Sequence, residues 1–190
     1  MNPEADTTSD SETRSAEQGR AMEAEIPDLV RAAGWDSVGQ LAENSCLGDP
    51  DPEQASRETH WTGASGRVGV SREDAESAAE RIQDAAERRG WEHLKRGNTA
   101  PNSENLYAAA KGDLTLNVTY TSGTGRPGLS LQLSTECLEM PAGHTMIRSV
   151  LDPMYGSADP LYPNDDRSKF TNGEPKPLPG PSDGSPSAGH

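Results

Sequence analysis

Twice between Leu114 and Leu133 the chain alternates apolar and polar residues. Leu114, Leu116, Val118 and Tyr120 are separated by Thr115, Asn117 and Thr119, and Leu129, Leu131 and Leu133 by Ser130 and Gln132. Successive side chains of a strand point to opposite faces, so each run reads as one half-buried β-strand. The polar, Gly- and Pro-containing stretch Thr121–Gly128 between them reads as a hairpin loop. Such strands leave one apolar face that something must cover. Upstream, Ala75, Ala78, Ala79, Ile82, Ala85 and Ala86 recur at helical spacing. Ser71 and Asp74 have the form of a capping box, acidic residues fill the first turn, Arg88 and Arg89 fill the last, and Gly90 stops the helix. Alanine is small enough to let a helix lie close on a sheet. The expected fold class is therefore α+β: a small antiparallel β-meander of about four strands packed against one main helix, with an N-terminal helix besides.

Only 31% of the 190 residues are hydrophobic and 4% aromatic, so the core has to be concentrated rather than spread along the chain. Residues 1–20 are rich in Ser, Thr, Asp and Glu and are expected to be a disordered acidic tether. Residues 21–151 are expected to form the α+β domain. Residues 152–190 hold eight of the fifteen prolines and are expected to be an irregular, Pro-rich C-terminal tail. Within the domain, Met22, Ile26, Leu29, Val30 and Ala33 give a helix ending at Gly34; Pro27 places its start near Ile26. A second helical piece is expected from Asp36 towards Cys46. Residues 47–66 read as a loop in which Trp61 packs on the core edge. Arg67–Val70, Trp91–Arg96 and Leu106–Lys111 are further strand candidates, and Met146–Leu151 fits one helical turn. The rings of Trp35, Trp61, Trp91, Tyr107 and Tyr120 are expected in the core, since Phe170 is the only phenylalanine.

The two cysteines, Cys46 and Cys137, lie almost half the chain apart and form no CxxC pair, which excludes thioredoxin chemistry and a zinc knuckle. Their acidic neighbours, Glu43, Glu136 and Glu139, disfavour a reactive thiolate. They are read as one structural disulfide in preference to two buried thiols. Closing so long a loop stabilises by roughly 4–5 kcal/mol through the unfolded chain. A structural disulfide places the protein in an oxidising, extracellular setting.

The formal charge of −14 excludes nucleic-acid binding by phosphate neutralisation. No run of 18 apolar residues exists to span a membrane. None of the four histidines sits at i, i+4 from another, so no helical metal pair is expected, and no metal, cofactor or catalytic set is assigned. His93 falls in a strand and is read as structural. His144, in the loop after Pro-Ala-Gly, is the histidine worth following. Asp159, Asp165 and Asp166 lack the spacing of a calcium loop. The glycines of Gly123–Gly128 lie between strands instead of ahead of a helix, so they are no phosphate cradle.

The helix ending in Gly90-Trp91, the two late strands and the stretch Ser134-Thr-Glu-Cys-Leu-Glu-Met-Pro-Ala-Gly-His144, followed by a Pro-rich C-terminus, resemble the LppA-type lipoproteins of actinobacteria and related actinomycete lipoproteins over residues 22–165. The resemblance implies export and lipidation on an N-terminal cysteine, and no reaction. The chain departs from it in having no cysteine near its start. With Met1 standing where that cysteine would be, residues 1–20 would tether the domain to the membrane. The expected function is that of a non-enzymatic, secreted or lipid-anchored cell-surface module, monomeric, binding a protein or envelope component. The alternatives are an extracellular enzyme with a carboxylate-based site and an acidic secreted inhibitor or immunity-like protein.

Overall fold

A computed structural model describes residues 4–48, 51–95, 100–123 and 125–181, with side chains from residue 10 onward and without those of residues 52 and 53. The chain opens with helix α1, Glu4–Ala32, and continues through strand β1 (Gln40–Ser45), the short helix α2 (Pro52–Ala55), β2 (Glu58–Val68), α3 (Arg72–Arg88), β3 (Glu92–His93), β4 (Ser103–Lys111), β5 (Leu114–Thr121), β6 (Gly128–Ser134) and β7 (Leu138–Glu139); one 3₁₀ turn follows at Arg167–Lys169. All strand pairings are antiparallel. The order is β1-β2-β6-β5-β4-β3, and β7 adds to β2 beyond the end of β6.

The α+β class and the disulfide stand as expected from the sequence; the sheet is larger, with seven strands among the described residues in place of about four. Leu116, Val118, Leu131 and Leu133 are buried on one face, covered by α1 and α3. Helix α3 buries the alanine stripe, Ala75 to Ala86, with Ile82. Ser71 caps it, its Oγ accepting from Asp74 N at 3.1 Å, and Gly90 leaves it at φ +81°. The three tryptophans, Tyr107 and Tyr120 are all core residues.

Five local expectations are corrected. Helix α1 begins at Glu4, far ahead of Ile26, and Pro27 lies inside it. Residues 10–20 are not a solvated tether: Ser15, Gln18, Gly19, Met22, Glu25, Ile26 and Leu29 form one buried stripe at spacings of three and four. The segment expected to be a second helix is strand β1, and the second part of the expected loop 47–66, from Glu58 on, is β2, with Trp61 within it, 3% exposed. Met146–Leu151 forms no helical turn. Residues 147–149 instead lie along the open edge of β1, with Glu43 N donating to Ile147 O at 2.8 Å and Ser149 N to Leu41 O at 2.9 Å.

The C-terminal segment is irregular, as its prolines demand, but it is packed. Asp152 Oδ2 accepts from Leu41 N at 2.7 Å, and Leu178 reaches the main core. The last nine positions of the expected tail, His190 among them, lie outside the described residues, as do Asp49 and Pro50.

Candidate functional site

Strand alternation places Glu43 and Trp61, opposite each other on β1 and β2, under helix α1. Glu43 is fully buried, and its oxygens are met by four residues from three parts of the chain. Oε1 accepts from Ser15 Oγ on α1 at 2.9 Å and from Thr59 Oγ1 on β2 at 2.5 Å. Oε2 accepts from Ile147 N at 3.1 Å. His144 Nε2 lies 3.0 and 3.1 Å from the two oxygens. Trp61 Nε1 donates onward to Ser15 Oγ at 3.1 Å. Burial pushes the Glu43 carboxyl up, but the hydrogen bonds from His144 and Thr59 and the imidazolium charge outweigh it and hold the group below its ordinary value. Burial likewise pushes His144 down, and the hydrogen bond and charge of Glu43, with Glu12 at 3.7 Å from Nδ1, raise it overall. The pair is a buried carboxylate–imidazole contact in which each group favours the charged form of the other. His144 was singled out by sequence; Glu43 was not, because a glutamate in a polar-looking strand carries no mark of burial.

Two more buried charges are built in the same way. Glu25 on α1 accepts from Trp91 Nε1 at 2.9 Å, Arg89 Nε at 2.9 Å and Lys111 Nζ at 2.7 Å. Burial raises its carboxyl, and these three partners bring it below its ordinary value. Arg148 organises the C-terminal segment: Nη1 donates to Met154 O at 2.7 Å and Ser157 Oγ at 2.9 Å, and Nη2 to Asp159 Oδ2 at 2.8 Å. Its guanidinium stacks 3.8 Å from the Tyr162 ring centroid, and Tyr162 Oη donates to Glu43 O at 2.6 Å. Burial pushes the Tyr162 hydroxyl up to about 12. Asp159 and Asp165 are thus partners of an arginine, in keeping with their lack of calcium-loop spacing.

The described surface also has a groove of about 480 Å³ between α1 and the β4–β5 turn. Ala21, Ala24 and Leu114 give it an apolar floor. Most of its rim charges are paired: Arg14 Nε donates to Asp113 Oδ2 at 3.0 Å, Arg14 also pairs with Glu136, and Lys111 reaches Glu25, while Glu17 lines the rim with no ion pair among the described residues. Gln18 lies between rim and floor, 4% exposed. Its Nε2 donates to Asp113 Oδ2 at 3.1 Å, while its Oε1 has no partner among the described residues.

The disulfide Cys46–Cys137 ties the end of β1 to the connection between β6 and β7, across 91 positions of sequence. His93 sits on β3 with its ring 5.7 Å from that of Tyr107, a structural contact. His60 stands on β2 beside the disulfide. No protein-family model, curated protein or solved structure matches the chain.

Proposed function

We propose that the protein is a non-enzymatic binding module that works outside the cytoplasm, with its ligand seat in the groove between α1 and the β4–β5 turn. The groove carries this reading. Its size falls within the roughly 300–1,000 Å³ usual for ligand sites, and like them it combines an apolar floor with few polar groups. Because most of the rim charge is already paired and the remaining Glu17 repels anions, the ligand proposed for the groove is uncharged. It would lay an apolar group on Ala21, Ala24 and Leu114. An uncharged amphiphile of the cell envelope has that chemistry.

The carboxylates speak against the enzymatic alternative. A general-acid carboxyl is held protonated by its surroundings, whereas Glu25, Glu43 and Asp113 are held as anions by their partners. Asp165 is pushed up by burial, but it is engaged by Gly156 N and Arg148. The disulfide supports the location. A lipid anchor, and membership of the LppA-type lipoproteins, rest on the sequence resemblance alone.

Titration with octyl glucoside below its micelle concentration tests the seat. NMR shifts should saturate at Ala21, Ala24, Gly112 and Leu114, and Ala24→Trp, which fills the groove from an exposed helix position, should abolish them. Absence of saturable shifts there in the wild type would overturn the assignment. Alkylation of thiols in intact cells before lysis tests the location: both cysteines should be protected as a disulfide in the exported fraction, and a reduced cytoplasmic pool would refute it.

A further inference from the structure

The disulfide has a third potential metal ligand beside it. Asn44 of β1 pairs with His60 of β2, and Leu138 of β7 pairs with Thr59 of β2. Carried on, the first register brings Cys46, two positions past Asn44, opposite Glu58, whose carbonyl accepts from Cys46 N at 2.8 Å, and the second brings Cys137, one position before Leu138, beside His60. Trp61 and Thr59 point towards α1, so His60 and both cysteines share the opposite face of the sheet. One ligand atom from each of Cys46, His60 and Cys137 lies within 4.8 Å of the others. We propose that in its dithiol state the protein binds one zinc ion through Cys46, Cys137 and His60, so that disulfide and metal are alternative occupants of the same place.

The chemistry is consistent with this set. Zinc takes thiolate sulfur at about 2.3 Å and imidazole nitrogen at about 2.0–2.1 Å in a tetrahedron. Ligand atoms around such an ion stand about 3.5–3.8 Å apart, as those bond lengths require. Once the S–S bond is broken the two sulfurs can part to this spacing without moving their strands far, because β1 and β7 both remain paired to β2. A dithiol reductant supplies the step: its two sulfurs become its own disulfide, and Cys46 and Cys137 become thiols. Zinc then displaces both thiol protons to solvent. Two thiolates, one neutral imidazole and Zn²⁺ sum to zero charge, so a half-buried site need not hold a net charge. Cys137 is exposed, which gives the ion a way in. Thr62 Oγ1, 3.4 Å from His60 Nε2, restrains the ring. The fourth position is left to water, on the face where the register also places Glu58.

Neither helical spacing nor a CxxC word marks this set, because its ligands come from three separate strand regions. The test is competition for Zn²⁺ against a chromogenic chelator, with the full chain oxidised or reduced by a phosphine. Reduced wild type should take up one equivalent, oxidised protein none, and His60→Ala should bind at least 10-fold more weakly. Co²⁺ in the reduced wild type should give thiolate charge-transfer absorption. Should reduction loosen the fold, thermal denaturation reads the same site: Zn²⁺ should raise the transition of reduced wild type and leave reduced His60→Ala unmoved. Equal zinc affinity and equal thermal shift in the two proteins, or no uptake by the reduced wild type, would overturn the proposal.

Discussion

At the scale of single residues, the energetically exposed point of this molecule is Glu43. A carboxylate with no solvent contact is tolerable only because each oxygen has donors, and among the described residues His144 is the donor that can carry a charge. His144→Ala should cost about 3 kcal/mol, the low end for removing one partner of a buried ion pair, because Ser15, Thr59 and the Ile147 amide still hold the carboxylate. Urea denaturation of the variant at neutral pH measures it. The same contact sets a pH window. His144 is raised above its ordinary 6.5, so its contribution is complete below that value and is lost as pH climbs through its folded pKa. Glu43 is lowered from 4.5, so its contribution is present above that value and is lost as pH falls through its folded pKa. Stability should therefore be greatest between these limits. His144→Gln should flatten the alkaline decline; an unchanged slope from pH 6 to 9 would assign that decline to other groups.

At the scale of elements, the junction of α1 with β2 depends on two absent side chains. A Cβ on Gly19 would stand 2.5 Å from Trp61 Cζ2, and one on Gly63 would stand 2.6 Å from Ile26 Cδ1. Glycine inside a helix ordinarily costs about 1 kcal/mol against alanine. Here the sign should reverse: Gly19→Ala should destabilise by about 1–3 kcal/mol, because Trp61 is locked between α1 and the sheet by its bond to Ser15. A rise in thermal stability would mean that the helix can lift from β2. This junction also explains what the sequence hid. Strands β5 and β6 and helix α3 bury ordinary apolar side chains, so their periodicity was legible. Where the N-terminal half of α1 meets β1 and β2 the contact is made by Ser15, Gly19, Thr59 and Glu43 around Trp61, mostly small or polar residues joined by close approach and hydrogen bonds. Hydrophobic periodicity cannot register such a contact, and the N-terminal half of α1 therefore reads as solvated leader, β1 as helix and β2 as loop. Of the candidate sites, the disulfide and His144 could be found from sequence, whereas Glu43 and the groove exist only once α1 is laid on the sheet.

At the scale of the whole molecule, one covalent bond and one large charge act in opposite directions. The bridge joins β1 to the connection after β6 over 91 positions, and replacing both cysteines by serine should remove about 4–5 kcal/mol through the unfolded chain. At about 2–4 °C per kcal/mol for a chain of this size, calorimetry should record a fall of roughly 10–20 °C. The charge of −14 favours the expanded chain through self-repulsion, and salt screens that repulsion over a Debye length of about 10 Å at 0.1 M. Salt also weakens ion pairs. The pairs that matter here, Glu43–His144, Glu25–Lys111 and Arg148–Asp159, are in direct contact and partly or wholly shielded from solvent, so they lose little. Repulsion among exposed carboxylates should therefore dominate the response, and thermal stability at pH 7 should rise between 10 and 500 mM sodium chloride. A fall across that range would mean that the attractive contacts of Arg14, Arg72 and Arg89 with their carboxylates outweigh the excess of negative charge.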